Sequence, residues 1–283
     1  MSAFVTLQKV LPKKLLTELA GMLAEVRWQP FKNLLIRVFC RYYQVDLSEA
    51  QIKEVHGYAS FNDFFTRALD PDARPIDLAE NSLVSPADGA VSALGNLQRR
   101  SLIQAKDILY RANELLVDDI LGAKLESGSF ITIYLSPKDY HRVHVPLAGK
   151  LLGVTYVPGK LFSVNDETAR IVEGLFSRNE RIVAQFQTPE FTYALVMVGA
   201  MIVGGMETSV TGRIRREKHI VELNESAGKL FHKGEEFGRF HLGSTAIIVL
   251  PRQAGVEFSS ELAEGSDVKM GAVVATLAAG KKS

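Results

Sequence analysis

Hydrophobic and polar positions divide this chain into two unlike parts. Near the start, Leu15, Leu16, Leu19, Leu23 and Val26 recur at helical spacing, and after Pro30 so do Leu34, Leu35, Val38, Phe39 and Tyr42. Pro12 suits the first position of a helix, where a missing N–H leaves no bond unmade. Two amphipathic helices are therefore predicted, with Trp28 and Phe31 at their connection. Asp46 or Ser48 is placed to cap a further helix through Val55, and Ser60 or Asn62 to cap a short one over residues 60–67, ended by Pro71 and Pro75. Asn62 to Phe65 reads more naturally as a core aromatic cluster than as a functional segment.

From about residue 82 the pattern changes to short apolar runs broken by Gly, Pro and Asp. Predicted strands are 90–94, 130–135, 143–145, 151–157, 182–188, 193–203, 220–223, 246–250 and 273–277, with 103–116 mixed and helical in part. Helices first and strands afterwards is the order of an α+β fold. The longest apolar run, Tyr193 to Met206, contains three glycines and falls short of the roughly twenty residues a spanning helix needs, so no membrane span is expected. The first ten residues lack the basic start and apolar stretch of a secretory signal.

Charge and cysteine content narrow the function classes. The net charge of +1 gives no global attraction for nucleic acid, and the single cysteine, Cys40, excludes an internal disulfide and a multi-cysteine zinc site. The charge is nevertheless uneven. Residues 1–43 carry seven basic side chains against two acidic ones, an excess of +5 over the stretch that holds the two predicted helices. Basic amphipathic helices suit a membrane surface, although the same apolar faces could pack on the rest of the protein.

Three segments of the β-rich part bear reactive groups. Ser85-Pro86-Ala87-Asp88-Gly89 sets a carboxylate in a turn, and Tyr140-His141-Arg142-Val143-His144 puts two histidines three residues apart where a loop enters a strand. Leu242-Gly243-Ser244-Thr245 leads a serine straight into the β-branched run Ala246–Leu250. Together they offer Asp, His and Ser, the parts of an activated-serine triad. A zinc reading of His141 and His144 is poor, because no cysteine partner or His-Glu-x-x-His spacing accompanies them.

These segments, with Phe61–Arg67, Lys233–Phe240 and Gly159-Lys160-Leu161-Phe162-Ser163-Val164-Asn165, resemble in the same order the motifs of the phosphatidylserine decarboxylases, a bacterial-type, pyruvoyl-dependent proenzyme family. The resemblance runs from about residue 60 to 250, without departure at the motif positions. It implies a helical, membrane-associating region over 1–80 and a β-rich catalytic domain over 81–283. It further implies self-cleavage between Gly243 and Ser244 into a β chain, 1–243, and an α chain, 244–283. Ser244 would attack the Gly243 carbonyl with His144 as base, oriented by Asp88, and would end as a covalent pyruvoyl group that forms a Schiff base with the substrate amine. On this resemblance neither a metal nor pyridoxal phosphate is needed. His141 would return a proton after loss of carbon dioxide, with Tyr140 or a water as fallback, and Phe162, Ser163, Asn165 and Tyr140 would line the head group. The implied partners are phosphatidylserine in the membrane surface, the protein's own two chains and a second copy as a homodimer, with no nucleic acid. The implied location is peripheral, on the cytoplasmic face of the cell membrane.

Two other readings compete. A serine hydrolase could use Asp88, His144 and Ser244, but the local order Gly-Ser-Thr-Ala lacks the Gly-x-Ser-x-Gly elbow. A non-enzymatic carrier could use Lys269 within Ser266–Gly271, which loosely resembles a biotinyl hairpin.

Overall fold

The computed structural model describes residues 13–97, 101–105, 108–201, 205–241 and 244–278. Its centre is the strand Ser244–Leu250, every residue of which is buried. This strand pairs antiparallel with Ser129–Leu135 on one side and Thr192–Gly199 on the other, in unbroken register. A strand covered on both faces must be apolar at successive positions rather than alternate ones. Accordingly Ala246, Ile248 and Leu250 enter one core with Ile131, Ile133, Leu195 and Met197. Ile247 and Val249 enter a second core on the other face with Phe130, Val196 and Phe176.

The nine-stranded sheet continues outward through Arg181–Gln187 and Gly149–Val157 on one side and through Gly89–Asn96 and Asp267–Val268 on the other. A four-stranded sheet orders Gly212–Arg213, Met206–Thr208, Glu236–Phe240 and Arg142–His144. The chain thus leaves this smaller sheet at Phe240 and enters the large one at Ser244. A three-stranded sheet pairs Ser82–Val84 with Val273–Thr276 and Glu257–Phe258. The mixed stretch near residue 103 is a hairpin, Ser101–Ala105 with Ile108–Arg111, followed by the short helix Ala112–Leu116. The α+β expectation holds, and the strand expected over 193–203 ends at Gly199, its last two predicted positions lying outside the described residues, while the other predicted strand ends fall within a few residues of those observed.

The two N-terminal helices are Lys13–Ala24 and Gln29–Tyr43. Pro30 sits in the first turn of the second helix, and left-handed Gln44 closes it by donating to the Cys40 carbonyl. Pro12, expected to open the first helix, lies outside the described residues. The second helix has two apolar stripes. Leu35, Ile36 and Phe39 pack on Tyr58, Phe61, Phe64 and Phe65, whereas Leu34, Val38 and Tyr42 are exposed. Lys32 is buried and donates its ammonium to the carbonyls of Val55, His56 and Tyr58, pinning this helix to the loop beneath it.

The helix expected from Asp46 or Ser48 through Val55 does not form. Asp46 instead accepts the Ser48 N–H and hydroxyl at 2.8 Å each, closing a local turn, and Ala50 bridges Leu69. Short polar side chains that bond their own backbone compete with helix in this way. The next helix, Phe61–Phe65, does form, and Ser60 is its cap, accepting the Asp63 N–H at 3.1 Å while Asp63 accepts the Ala59 N–H at 2.8 Å.

Gly128 ties the far end of the central strand in place. A Cβ there would lie 1.8 Å from the Leu250 carbonyl oxygen. Gly128→Ala must displace the end of the strand, an overpacking cost of about 1–3 kcal/mol. A thermal melt should show a midpoint about 2–12 °C lower.

Candidate active site

Ser244 opens the central strand opposite Leu135 and Gly199, the final residues of its two neighbours. Loops leaving both neighbours therefore depart beside it. The Ser244 side chain is wholly buried, and its hydroxyl has no hydrogen-bond partner. The Thr245 hydroxyl, on the opposite face, is also buried without a partner. Leaving a buried hydroxyl unpaired costs about 1–3 kcal/mol, so such a group needs an explanation. Gly243, the other half of the expected cleavage site, lies outside the described residues.

The loop after Leu135 is built around Asp139, whose carboxylate accepts the Ser136 N–H and hydroxyl at 2.7 Å each. Arg67 donates to the Lys138 carbonyl at 2.9 Å and fixes the loop from below. This delivers His141 to a buried position with its ring stacked on Phe65, centroids 4.0 Å apart and planes 17° apart. Its ring nitrogens make no well-aligned hydrogen bond, although the Ser136 and Pro137 carbonyls lie close enough to favour its proton. Burial first, and the Arg67 charge second, push its pKa down to about 3, so the imidazole is neutral at ordinary pH. The aromatic segment 61–65 therefore serves both as core and as the bed for this histidine.

His144 ends the strand Arg142–His144 with both ring nitrogens engaged. Nδ1 lies 2.8 Å from the Gly234 carbonyl and Nε2 lies 3.0 Å from the Tyr140 hydroxyl. A carbonyl can only accept, so Nδ1 carries the proton and Nε2 presents its lone pair to the tyrosine. Burial lowers the His144 pKa, which keeps the ring neutral and Nε2 basic. Burial also raises the Tyr140 pKa, so the phenol remains a donor.

Asp88 lies in the adjoining turn, and the Pro86 carbonyl of that turn accepts the His144 backbone N–H at 2.7 Å. The turn depends on Gly89, where φ is +156° and a Cβ would fall 2.3 Å from the Tyr134 carbonyl oxygen. The hydrogen bonds of the Asp88 carboxylate go to Arg74 and to the Met270 N–H. Arg74 Nε and Nη2 donate at 2.9 and 2.5 Å, and the Met270 N–H donates at 2.9 Å. The side-chain bond that orients His144 comes from Gly234, where the sequence suggested Asp88. Asp88 acts on His144 through its field and its shared turn, and it ties in the segment that follows Ser244.

The loop bearing Phe162, Ser163 and Asn165 reaches the same end of the sheet. Asn179 Nδ2 donates to both the Phe162 and Gly199 carbonyls at 2.9 Å, while its Oδ1 accepts the Phe162 N–H at 3.1 Å. Phe162 is buried and Arg178 lies over its ring at 5.4 Å. Asn165 caps the short helix Asp166–Ala169 by accepting the Thr168 N–H at 3.1 Å. Lys269, considered above as a carrier site, is ion-paired with Glu49 at 3.3 Å beside the Asp88 turn.

Arg74, Asn179 and the Gly234 carbonyl are the supports that sequence reasoning did not single out. An arginine after a Pro-Asp-Ala turn and an asparagine before a strand carry no signal by themselves, and a backbone carbonyl carries none. Among the described residues no group of three or more His, Cys, Asp or Glu side chains is arranged to hold a metal ion, and no helix is long and apolar enough to cross a membrane.

Comparison with known proteins finds relatives over nearly the whole chain. The family model described as phosphatidylserine decarboxylase matches residues 61–276, and one described as PSD matches residues 3–44. A phosphatidylserine decarboxylase proenzyme of Psychrobacter arcticus is 47% identical over 97% of this chain and 99% of its own length. The proenzyme of Pseudomonas fluorescens is 50% identical over 95% of each chain, and that of Pseudomonas entomophila 48% identical over 96% of each. The matched region spans the Asp88 turn, both histidines, the Phe162 loop and Ser244, and the chain belongs to the phosphatidylserine decarboxylase family.

Proposed function

We propose that this protein decarboxylates phosphatidylserine to phosphatidylethanolamine at a membrane surface, after cutting itself between Gly243 and Ser244. The observation that carries the reading is the Ser244 hydroxyl, buried and without a partner at the head of the central strand, in a chain whose relatives are named proenzymes.

In the proposed cleavage the Ser244 hydroxyl replaces Tyr140 as the donor to His144 Nε2. The oxygen bonds to the Gly243 carbonyl carbon as its proton passes through His144 to the departing amide nitrogen, so the peptide bond becomes an ester. Loss of the Ser244 Cα proton then breaks the Cβ–Oγ bond. This frees Gly243 as a carboxylate and leaves dehydroalanine, and water removes its nitrogen as ammonia. The residues after Ser244 stay in the fold, because they hold the centre of the large sheet and are tied to Asp88 through Met270.

A compact covalent carbonyl suits position 244, where the serine hydroxyl already sits without hydrogen-bond support. When formed, the pyruvoyl group supplies a carbonyl that binds the substrate amine and takes up the electron pair released with carbon dioxide. His141 is the proposed relay for the returning proton, its one N–H donating as its second ring nitrogen takes a proton from water, with the ring held in place by Phe65. The Phe162–Asn165 loop, anchored by Asn179, is the proposed wall for the head group.

Access to a lipid is the proposed role of the N-terminal helices. Met22, Leu23, Leu34, Val38 and Tyr42 are exposed on them and Trp28 at their connection, Trp28 at 68% and Tyr42 at 78%. Basic residues near an anionic surface add about 1 kcal/mol each. Membrane contact by this face, the cytoplasmic side and assembly as a homodimer are parts of the proposal.

Three outcomes are expected. Ser244→Ala should run as one folded, inactive chain on a denaturing gel, whereas Ser244→Cys should cut slowly through a thioester; efficient cleavage of Ser244→Ala would refute the nucleophile. His144→Ala should accumulate uncut chain, while His141→Ala should still cut yet lose at least about 100-fold in decarboxylation, the usual worth of a positioned acid or base; equal cleavage defects would mean that the roles are wrongly divided. Leu34→Glu with Val38→Glu, both at exposed positions, should reduce co-sedimentation with anionic vesicles and leave cleavage intact. Unchanged vesicle binding would move the contact elsewhere.

A further inference from the structure

His241 lies three residues before Ser244 and is almost fully buried. Its backbone N–H donates to the Gly205 carbonyl at 3.0 Å. Ring Nδ1 is 2.8 Å from Asn62 Oδ1, and ring Nε2 is 3.1 Å from Glu207 Oε2. Asn62 cannot be turned around, because its Nδ2 donates to Glu25 Oε1 at 3.1 Å. Glu25 follows directly on the helix Lys13–Ala24 and also receives Arg213 at 2.9 Å. Both ring nitrogens therefore face acceptors, an arrangement that only the imidazolium satisfies in full.

We propose that His241 is a positioning residue for self-cleavage, which as a double donor ties the chain ahead of Ser244 both to Glu207 and, through Asn62 and Glu25, to the first N-terminal helix. The idea rests on the self-cleavage reading of Ser244. With one proton lost, one of the two bonds must break, and the cleavage segment is held from one side only.

The charges around the ring come from every element packed on it. Glu207 on Met206–Thr208 and Glu25 at the end of the first helix favour the proton, while Arg213 on Gly212–Arg213 opposes it. Arg239, on the strand leading to His241, approaches Glu207 at 3.9 Å and competes for that carboxylate. Burial, followed by Arg213, draws the pKa below the ordinary histidine value, so the switch falls on the acid side of neutrality.

Cleavage of freshly translated full-length chain, followed on denaturing gels from pH 5 to 8, tests this against His241→Lys and His241→Asn. Lysine keeps a charge and three donors throughout this range. The ratio of the His241→Lys rate to the wild-type rate, in which the titration of His144 cancels, should rise about 5-fold with pH, the effect of one hydrogen bond. The His241→Asn rate should sit below wild type at pH 5 and approach it at pH 8. A ratio that does not change with pH overturns the proposal, and failure of wild type to cut at all refutes instead the self-cleavage reading beneath it. Nitrogen-15 spectra of histidine-labelled Ser244→Ala, which need no cleavage, give a second readout. Below its titration point His241 should show two protonated ring nitrogens; a single neutral tautomer across the whole range overturns the assignment.

Discussion

The in-register pairing of Ser244–Leu250 between two long strands is the constraint on which the rest of the structure depends. It fixes Ser244 level with Leu135 and Gly199, so the chain leaves both of those strands beside the serine. It also buries the serine hydroxyl in a sheet whose backbone bonds are already made, leaving that side chain without a partner. A strand buried on both faces gains from apolar contact at nearly every position, with each large aliphatic side chain contributing about 1.5–3 kcal/mol. That stabilisation is enough to hold a polar residue at its head in an unfavourable place, and it does not depend on the peptide bond before Ser244.

Around this strand the supports are backbone and side-chain bonds of high specificity. Gly234 sets the tautomer of His144, Phe65 sets the plane of His141, and Asn179 ties the Phe162 loop to the end of the strand that pairs with Ser244. Arg74 and the Met270 N–H saturate Asp88, so the carboxylate joins the two sides of the proposed cleavage site. The helix Phe61–Phe65 belongs to this shell as much as to the N-terminal core. Through Phe65 and Asn62 it touches both His141 and His241.

Much of this was legible in the sequence. The double-faced strand was visible as the unbroken run Ala246–Leu250, and the ordered motifs brought Asp88, His141, His144 and Ser244 into view. Local rules failed where competing bonds decide the outcome. Asp46 and Ser48 carry helix-cap chemistry, yet they satisfy each other in a turn. The apolar periodicity of Gln29–Tyr43 was correct, but its width concealed two stripes, one on the aromatic cluster and one exposed. Partners such as Arg74 for Asp88 and Asn62 for His241 are set by tertiary approach, and no spacing along the chain encodes them.

The chemical state of residue 244 in the purified protein decides the mechanism. Intact mass of the denatured wild-type protein measures it directly. Two chains are predicted, meeting at Gly243 and Ser244, with the 244–283 chain lighter by one ammonia than the same peptide beginning with serine. A small chain at the full serine mass would indicate ordinary proteolysis, and a single uncut chain that decarboxylates phosphatidylserine would contradict the account outright.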